Sequence, residues 1–180
     1  TREVELGEPG ELLIHGPQVF RGYWQNEEET AKTLLPGGWL RTGDLVTQDE
    51  DGFITIVDRK KEIIITGGFN VSPTEVEKVL ADAPGLAEAA VVGVLRGSSG
   101  IESITAAVVL EEGAEFDEAA VREHVREHLA EHKRPRSYVV WEELPKSLLG
   151  KVLRRRVRET LQSDPKATRA ADAPDDEAEQ

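Results

Sequence analysis

The sequence predicts an α+β protein, in which a β-rich first part is followed by a compact domain with the element order β-α-β-β-α-β. Two observations lead to this prediction. Before Asp58, short apolar segments are separated by turns that contain glycine and proline, and helix signals are few. After Asp58, apolar runs of strand length alternate with segments of helical periodicity. The second pattern is typical of a split βαβ arrangement, a small sheet with helices on one face.

The composition excludes several classes of protein. The 180 residues are enough for one or two domains with a core, and the formal net charge of −13 argues against nucleic acid as a partner. The absence of cysteine excludes disulfides and thiolate metal sites. No apolar run has the length of a transmembrane segment and no signal peptide opens the chain, so we expect a soluble, cytoplasmic protein. Because the chain lacks methionine and begins at Thr1 in polar sequence, we expect a fragment of a longer polypeptide.

Residues 1–58 contain cap and turn signals that define four elements. Asn26 precedes three glutamates, which is typical of an N-cap followed by an acidic first turn, and Pro36-Gly37-Gly38 ends that helix. The Asp-Gly pair within Asp49–Gly52 is a hairpin signal. The predicted elements are strands at Leu12–Ile14, Trp39–Arg41 and Phe53–Val57 and a helix at Glu27–Leu34.

The stretch Asp58–Lys78 contains the clearest local signals of the chain. Its apolar residues 63–65 predict a strand, and Thr66-Gly67-Gly68 predicts a turn between that strand and a helix. Ser72 is a good N-cap, and Pro73 suits the first helical position, where its missing N–H costs nothing. A double-glycine turn beside a capped helix lets a ligand approach backbone amides closely, although most such turns are only structural.

The remainder alternates regularly between strands and helices. Val121, Val125 and Leu129 form one apolar helical stripe, and Arg96–Gly100 is predicted as a loop. From Ser163 onward the sequence is acidic and rich in alanine and proline, which predicts disorder. The predicted strands are Ile63–Thr66, Ala87–Val94, Ile104–Leu110 and Tyr138–Trp141, and the predicted helices are Pro73–Ala81, Asp117–Glu131 and Lys151–Leu161.

Two charged residues are candidates for chemistry because of their local sequence. Asp44 follows Thr42-Gly43 in a predicted tight turn between two β elements, where a carboxylate could accept hydrogen bonds from both hydroxyls of a ribose. A turn-capping role is the more common one for such an aspartate. Lys151 follows Gly150 and precedes a helix, so its ammonium could project from a loop. Alternatively, Lys151 belongs to one basic surface with the neighbouring lysine and arginines.

Three histidines recur at every fourth position and could hold a metal on one helix face: His124, His128 and His132. No cysteine and no clear carboxylate partner accompanies them, and their side of the helix approaches the apolar stripe. We therefore interpret them as half-buried helix residues and predict no metal site.

Three segments in the same order resemble one protein family: Trp39–Leu45, Asp58–Lys78 and Leu149–Arg155. The chain is similar to the C-terminal portion of adenylate-forming enzymes, the acyl-CoA synthetase and luciferase-like superfamily, and within it to fatty-acyl-CoA synthetases. The resemblance implies a division into the C-terminal end of a large AMP-binding domain (1–58), a hinge (59–61) and a mobile lid domain (62–162). The composition predicts an acidic disordered tail (163–180) after it.

The resemblance also implies roles for individual residues. Asp44 and Arg59 match residues that hold the ribose of ATP, and Lys61 matches the hinge about which the lid domain swings. Lys151 matches the lysine that bridges the substrate carboxylate and the α-phosphate, although Leu149 stands where the family often has threonine. Gly67 and Gly68 would border the tunnel for the pantetheine arm of CoA.

The function that the resemblance implies is a two-step ligation. A carboxylic acid, most simply a fatty acid, reacts with ATP to give an acyl-adenylate and pyrophosphate, and the thiol of CoA then displaces AMP. The phosphate loop, the Mg²⁺ ligands and the acyl pocket are expected upstream, so the fragment alone is expected to be inactive. Two alternatives remain open: an adenylating domain that serves a carrier-protein thiol or an oxygen acceptor, and a non-catalytic module that binds a partner. The sequence specifies neither the acyl chain nor the oligomeric state.

Overall fold

The computed structural model describes residues 2–95 and 100–163. The α+β class predicted from the sequence is confirmed. The chain forms two compact units, Thr1–Glu62 and Ile63–Gln180. The predicted disorder of the acidic tail concerns residues 164–180, which lie outside the described ranges, as does most of the predicted loop Arg96–Gly100.

The first unit is built on one long central strand, β3, which pairs antiparallel with the other three strands. The elements are β1 (Gly10–Ile14), α1 (Glu27–Thr33), β2 (Leu34–Leu35), β3 (Trp39–Gln48) and β4 (Ile54–Arg59), followed by a 3-10 turn at Lys60–Glu62.

The cap signals of the first unit act as predicted. The Asn26 side chain accepts a hydrogen bond from the amide of Glu29 at 3.1 Å and so begins α1. The Asp49 carboxylate accepts bonds from the amides of Asp51 (3.1 Å) and Phe53 (2.8 Å), which closes the β3–β4 hairpin. Helix α1 ends one residue before the predicted end, because Leu34 is extended and pairs with β3.

The predicted tight turn at Thr42-Gly43-Asp44 was wrong, since β3 continues through these residues. The register with β1 shifts here: Leu45 faces Glu11 and Arg41 faces Leu13. Three residues of β3 therefore stand opposite the single residue between Glu11 and Leu13. Gly43, with a φ of +72°, makes this bulge possible.

The second unit contains a two-stranded hairpin and a separate three-stranded sheet. In the sheet, β7 and β8 are antiparallel, and β9 is parallel to β8 after a crossover through α3. The elements are β5 (Ile64–Thr66), β6 (Phe69–Val71), α2 (Pro73–Leu80), β7 (Leu86–Leu95), β8 (Glu102–Leu110), α3 (Glu118–His128), β9 (Ser137–Val140) and α4 (Arg154–Ser163).

The double-glycine turn connects two strands, whereas the sequence predicted that it connects a strand to a helix. Gly67 and Gly68 have φ values of +55° and +83°, the combination that a two-residue type I′ hairpin requires. Strand β6, which the prediction lacked, then leads into α2. The predicted start of α2 is confirmed, because the Ser72 hydroxyl accepts from the amide of Glu75 at 3.3 Å.

Helices cover both faces of the three-stranded sheet, whereas one face was predicted. Consecutive residues of a strand point to opposite faces, so Val91 belongs to one core cluster and its neighbours Ala90 and Val92 belong to another. Helices α2 and α3 pack on the first face, and α4 packs on the second through Val157 and Leu161. Each fully buried valine or leucine stabilises the fold by about 1.5–3 kcal/mol.

Two helix boundaries differ from the sequence prediction in ways that affect candidate residues. Helix α3 ends at His128, so His132 lies in a separate 3-10 turn. Helix α4 begins at Arg154, so Lys151 lies in the preceding turn and not in the helix. Within residues 2–95 and 100–163, none of the helices combines the length and apolar character needed to cross a bilayer.

Candidate functional site

The bulge in β3 places Asp44 beside Arg59 of β4. The two residues are cross-strand partners, and the Arg59 Nε atom lies 2.7 Å from Asp44 Oδ1. The Asp44 side chain is 19% exposed and the Arg59 side chain 56%, so the pair lies at the surface with the carboxylate on its inner side. The Thr42 hydroxyl accepts from the Asp44 amide (3.1 Å) and donates to the Leu12 carbonyl (2.9 Å), which fixes the backbone of the bulge.

A cleft of about 300 Å³ opens next to this pair. No heavy atom beyond the chain neighbours lies within 4 Å of the position that a Cβ atom on Gly43 would occupy. The wall therefore has room for a ligand, and its charged groups are cationic. The lining residues are Thr42, Gly43, Arg59, Lys60 and Lys61.

Glu11 is a residue near the cleft that the sequence analysis missed. Its carboxylate accepts from Arg41 (2.7 Å) and from Lys60 (2.9 Å). Burial alone would raise the pKa of Glu11, but the hydrogen bonds from Arg41 and Lys60 outweigh it and hold the pKa below its ordinary value. Lys60 and the neighbouring Lys61 are both exposed, and this contact ties Lys60 to β1. No local sequence signal could have revealed the contact between Glu11 and Lys60, because 49 residues separate the two.

The Gly67–Gly68 turn of the second unit is exposed and open. No heavy atom beyond its neighbours lies within 4 Å of a Cβ position on Gly68. Strand β5 before the turn is held by Glu102, whose carboxylate accepts from the Ile65 amide at 2.9 Å. Glu102 lies over Gly93, where a Cβ atom would come within 2.7 Å of the carboxyl carbon. The backbone at the turn is thus accessible to a thin ligand.

Lys151 ends an exposed turn that begins at Ser147. The Ser147 amide donates to the Lys151 carbonyl (2.8 Å), and the Gly150 amide donates to the Ser147 carbonyl (2.9 Å). Leu148 and Leu149 at the tip are 107% and 86% exposed. The Lys151 side chain is exposed as well, so its ammonium is free to meet a ligand from solvent.

The histidines have structural contacts. The His124 ring bonds to the Val79 carbonyl at 3.0 Å, and the His128 ring bonds to the His124 carbonyl at 2.8 Å. His132 stacks on Phe69 with 4.3 Å between ring centroids. In the part of the chain that the structure describes, no group of three histidine or carboxylate side chains could hold a metal ion.

The candidate residues therefore form separate groups. In the first unit, Asp44 and Arg59 are in contact, and Lys61 lines the same cleft as Arg59. In the second unit, the Gly67–Gly68 turn and the turn that ends at Lys151 are separate hairpin-like segments. Their roles toward nucleotide, CoA and acid stay predictions.

Comparison with known proteins gives one consistent result. Residues 75–151 match the family described as the AMP-binding enzyme C-terminal domain. A long-chain-fatty-acid–CoA ligase from Salmonella typhimurium (strain LT2) is 48% identical over 157 residues, which are 87% of this chain and 28% of that ligase.

Solved structures agree with the sequence comparison. ATP-bound MatB from Rhodopseudomonas palustris superimposes with a TM-score of 0.83 and 39% identity, over 90% of this chain and 32% of MatB. The o-succinylbenzoate CoA synthetase MenE from Bacillus subtilis, in complex with the acyl-adenylate intermediate OSB-AMP, gives a TM-score of 0.75 and 34% identity, over 86% of this chain and 31% of MenE. The chain spans less than a third of the length of each of these relatives.

Proposed function

We propose that the chain is the C-terminal part of an ATP-dependent acyl-CoA ligase, in line with the match of residues 75–151 to the AMP-binding enzyme C-terminal domain family. The main observation behind the proposal is the contact of Asp44 with Arg59 beside the open cleft at Gly43. Two of the relatives are named as a long-chain-fatty-acid–CoA ligase and an o-succinylbenzoate CoA synthetase, which supports the same reaction class.

Asp44 and Arg59 would hold the ribose of ATP. An ionised carboxylate accepts two hydrogen bonds, which matches the two adjacent hydroxyls of a ribose. Arg59 already holds one Asp44 oxygen at 2.7 Å, so the carboxylate is oriented before a ligand arrives. The absence of a side chain at Gly43 leaves room for the sugar, and the cationic lining suits a nucleotide phosphate.

Lys151 would assist the first step. The substrate carboxylate oxygen attacks the α-phosphorus, a new P–O bond forms, and pyrophosphate leaves with the electrons of the broken bond. Negative charge gathers at the α-phosphate in the transition state, and a cation placed there lowers the barrier. Mg²⁺, whose ligands we expect upstream of this chain, would neutralise charge on the phosphates. Lys151 is exposed on a turn, as this role requires.

In the second step the thiol of CoA attacks the acyl carbon, AMP leaves, and the thiol proton passes to solvent. The open backbone at Gly67 and Gly68 would admit the pantetheine arm. Lys61, exposed in the 3-10 turn Lys60–Glu62, would be the hinge of the lid domain, because a solvated charge tolerates two backbone geometries. We propose a fatty acid as the substrate and the cytoplasm as the location.

The test is ATP–pyrophosphate exchange with a panel of carboxylic acids, measured on the longer polypeptide that contains this chain. We expect exchange that depends on one class of acid, and Lys151→Ala should lower its rate by about a hundredfold or more, because an aligned transition-state contact is lost. In the same assay, Asp44→Asn should raise the ATP concentration for half-maximal exchange about tenfold or more, because a charged hydrogen bond is lost.

Lys78→Ala is the matched control, since Lys78 is an exposed lysine on α2 of the same unit. It should leave exchange unchanged. Exchange that is insensitive to Lys151→Ala would remove Lys151 from the chemistry. Exchange without CoA-dependent product would favour a carrier-protein or oxygen acceptor, and no exchange with any acid would favour the non-catalytic module.

A further inference from the structure

A partly buried ion pair joins the start of α4 to α2. The guanidinium of Arg154 donates through Nε to Glu77 Oε1 at 2.9 Å, and its second nitrogen bonds to Glu77 Oε2, which makes the contact bidentate. The side chains are 22% and 19% exposed. Bidentate, partly desolvated arginine–carboxylate pairs are geometrically specific and stronger than exposed pairs, which contribute little.

Both partners are themselves held in place. Glu77 Oε1 also accepts from the backbone amide of Val91 in β7 at 2.8 Å, so the carboxylate is fixed to the sheet. Arg154 donates in addition to the Thr74 hydroxyl of α2 at 2.9 Å. The guanidinium therefore has a single orientation, set by two side chains of α2 and one strand.

This anchored residue follows Lys151 by only three positions. The Leu153 amide between them donates to the Pro145 carbonyl at 2.8 Å, and an isolated bridge pairs Lys146 with Val152. These contacts, and those within the turn, join residues that are close in sequence. Arg154 connects the same segment to an element 77 residues away. Two other contacts also reach the body of the second unit: Lys146 pairs with Glu88 of β7 at 2.7 Å, and Val152 packs on the second core cluster. Of the two ion pairs, Arg154–Glu77 is the more buried and the bidentate one, so Arg154 contributes to placing the Lys151 turn.

We propose that Arg154, held by Glu77, is a positioning residue for Lys151. The inference rests on the proposed function of Lys151 and names a residue that acts through it. Arg154 does not touch the substrate. Its charge is neutralised by Glu77, so it sets the location of the Lys151 ammonium and supplies no charge to the reaction.

The test separates the two half-reactions of the longer polypeptide. Arg154→Gln should lower the maximal rate of ATP–pyrophosphate exchange about ten- to a hundredfold, because a small misplacement of a catalytic group has effects of this size. Thioester formation from preformed acyl-adenylate and CoA should change less than twofold, since that step does not use Lys151. Arg154→Lys, which restores the cation without the bidentate fork, should recover part of the exchange rate.

Arg155→Gln is the matched control, because Arg155 is the adjacent arginine of α4, is 90% exposed and pairs only with Glu159 one turn away among the contacts the structure describes. It should leave both half-reactions unchanged. In the 180-residue chain, Arg154→Gln should also speed amide hydrogen exchange at Lys151 and Leu153 and leave exchange in β8 unchanged.

Three outcomes would overturn the proposal: an equal loss in both half-reactions, which indicates general damage to the unit; no loss in either; and equal losses for Arg154→Gln and Arg155→Gln. The proposed function has its own criterion. If Lys151→Ala leaves exchange intact, the role of Lys151 fails, whatever Arg154→Gln does.

Discussion

At the scale of single residues, Tyr138 has an unusual environment. It is 5% exposed in the core of the second unit, and the Arg122 guanidinium carbon lies 5.2 Å from its ring centroid. Among the residues that the structure describes, its hydroxyl is the one buried side-chain polar group without a hydrogen-bond partner. Burial raises the pKa of Tyr138 to about 12, and the nearby Arg122 opposes that rise only in part.

This environment predicts a loss of stability at alkaline pH. Below pH 10.0 the phenol is neutral in both the folded and the unfolded protein. Between pH 10.0 and about pH 12, the unfolded chain loses the phenol proton while the folded chain keeps it. The free energy of unfolding should therefore fall by about 2–3 kcal/mol across this window because of Tyr138. Tyr138→Phe should lack this part of the pH dependence, and at neutral pH it should be as stable as the parent or more so, since no hydrogen bond is lost.

Denaturant unfolding of both proteins at increasing pH is the measurement. Tyr23→Phe serves as the control, because Tyr23 is the other tyrosine of the chain and is 49% exposed. Parallel pH curves for the parent and Tyr138→Phe would contradict the prediction, as would a large destabilisation by Tyr138→Phe at neutral pH.

At the scale of elements, the β5–β6 hairpin allows a test of the CoA route. A Cβ atom at Gly68 would have no neighbour within 4 Å, but the φ of +83° at this position strains any L-residue by about 1–2 kcal/mol. Gly68→Leu should therefore reduce thioester formation from acyl-adenylate about tenfold or more, as a side chain intrudes on the pantetheine arm, and should affect adenylation less. The two half-reactions are assayed separately.

Gly113 provides the control for backbone strain. It has a φ of +78° and the same open surroundings, in a turn between β8 and α3. Gly113→Leu should match Gly68→Leu in its effect on stability and should leave both half-reactions intact. Equal losses of adenylation and thioester formation in Gly68→Leu would exclude the proposed CoA route at this turn.

At the scale of the whole molecule, the two units differ in the apolar surface that they bury. Both core clusters consist of residues between Ile64 and Leu161. Among the described residues 2–62, Val46 is the only buried apolar side chain, and large apolar groups such as Trp24 (88%) and Phe53 (71%) are exposed. Burial of apolar surface is the main stabilising term of folding, so the units should differ in their independent stability.

We expect a polypeptide of residues 63–163 to fold by itself, with a free energy of unfolding of about 5–15 kcal/mol. A polypeptide of residues 2–62 should remain largely unfolded, because one buried valine cannot offset its conformational entropy. Circular dichroism with thermal and urea unfolding measures both. A cooperative transition in residues 2–62, or its absence in residues 63–163, would show that the distribution of apolar burial does not decide which unit folds.

The local structure of this protein was largely predictable because its signals act over a few residues. Asn26 and Ser72 begin helices by bonding to amides three positions onward, and the Asp49–Gly52 hairpin closes through its own side chain. The β6 strand was missed because its three residues give no period that a pattern could reveal. The motifs at Asp44 and Lys151 were identified through resemblance to a family, since each has an ordinary alternative role in a turn or on a basic surface.

The sequence by itself determined the α+β class, most strand and helix positions and the helix starts, because caps and periodicity depend on neighbours along the chain. Only the tertiary structure decided which distant groups meet: Asp44 with Arg59 across a bulge, Glu11 with Lys60, and Glu77 with Arg154. It also decided that α4 covers the opposite face of the sheet from α2. These pairings depend on strand register and on helix packing, which are set by how many side chains pack together. No single position of the sequence therefore indicates them.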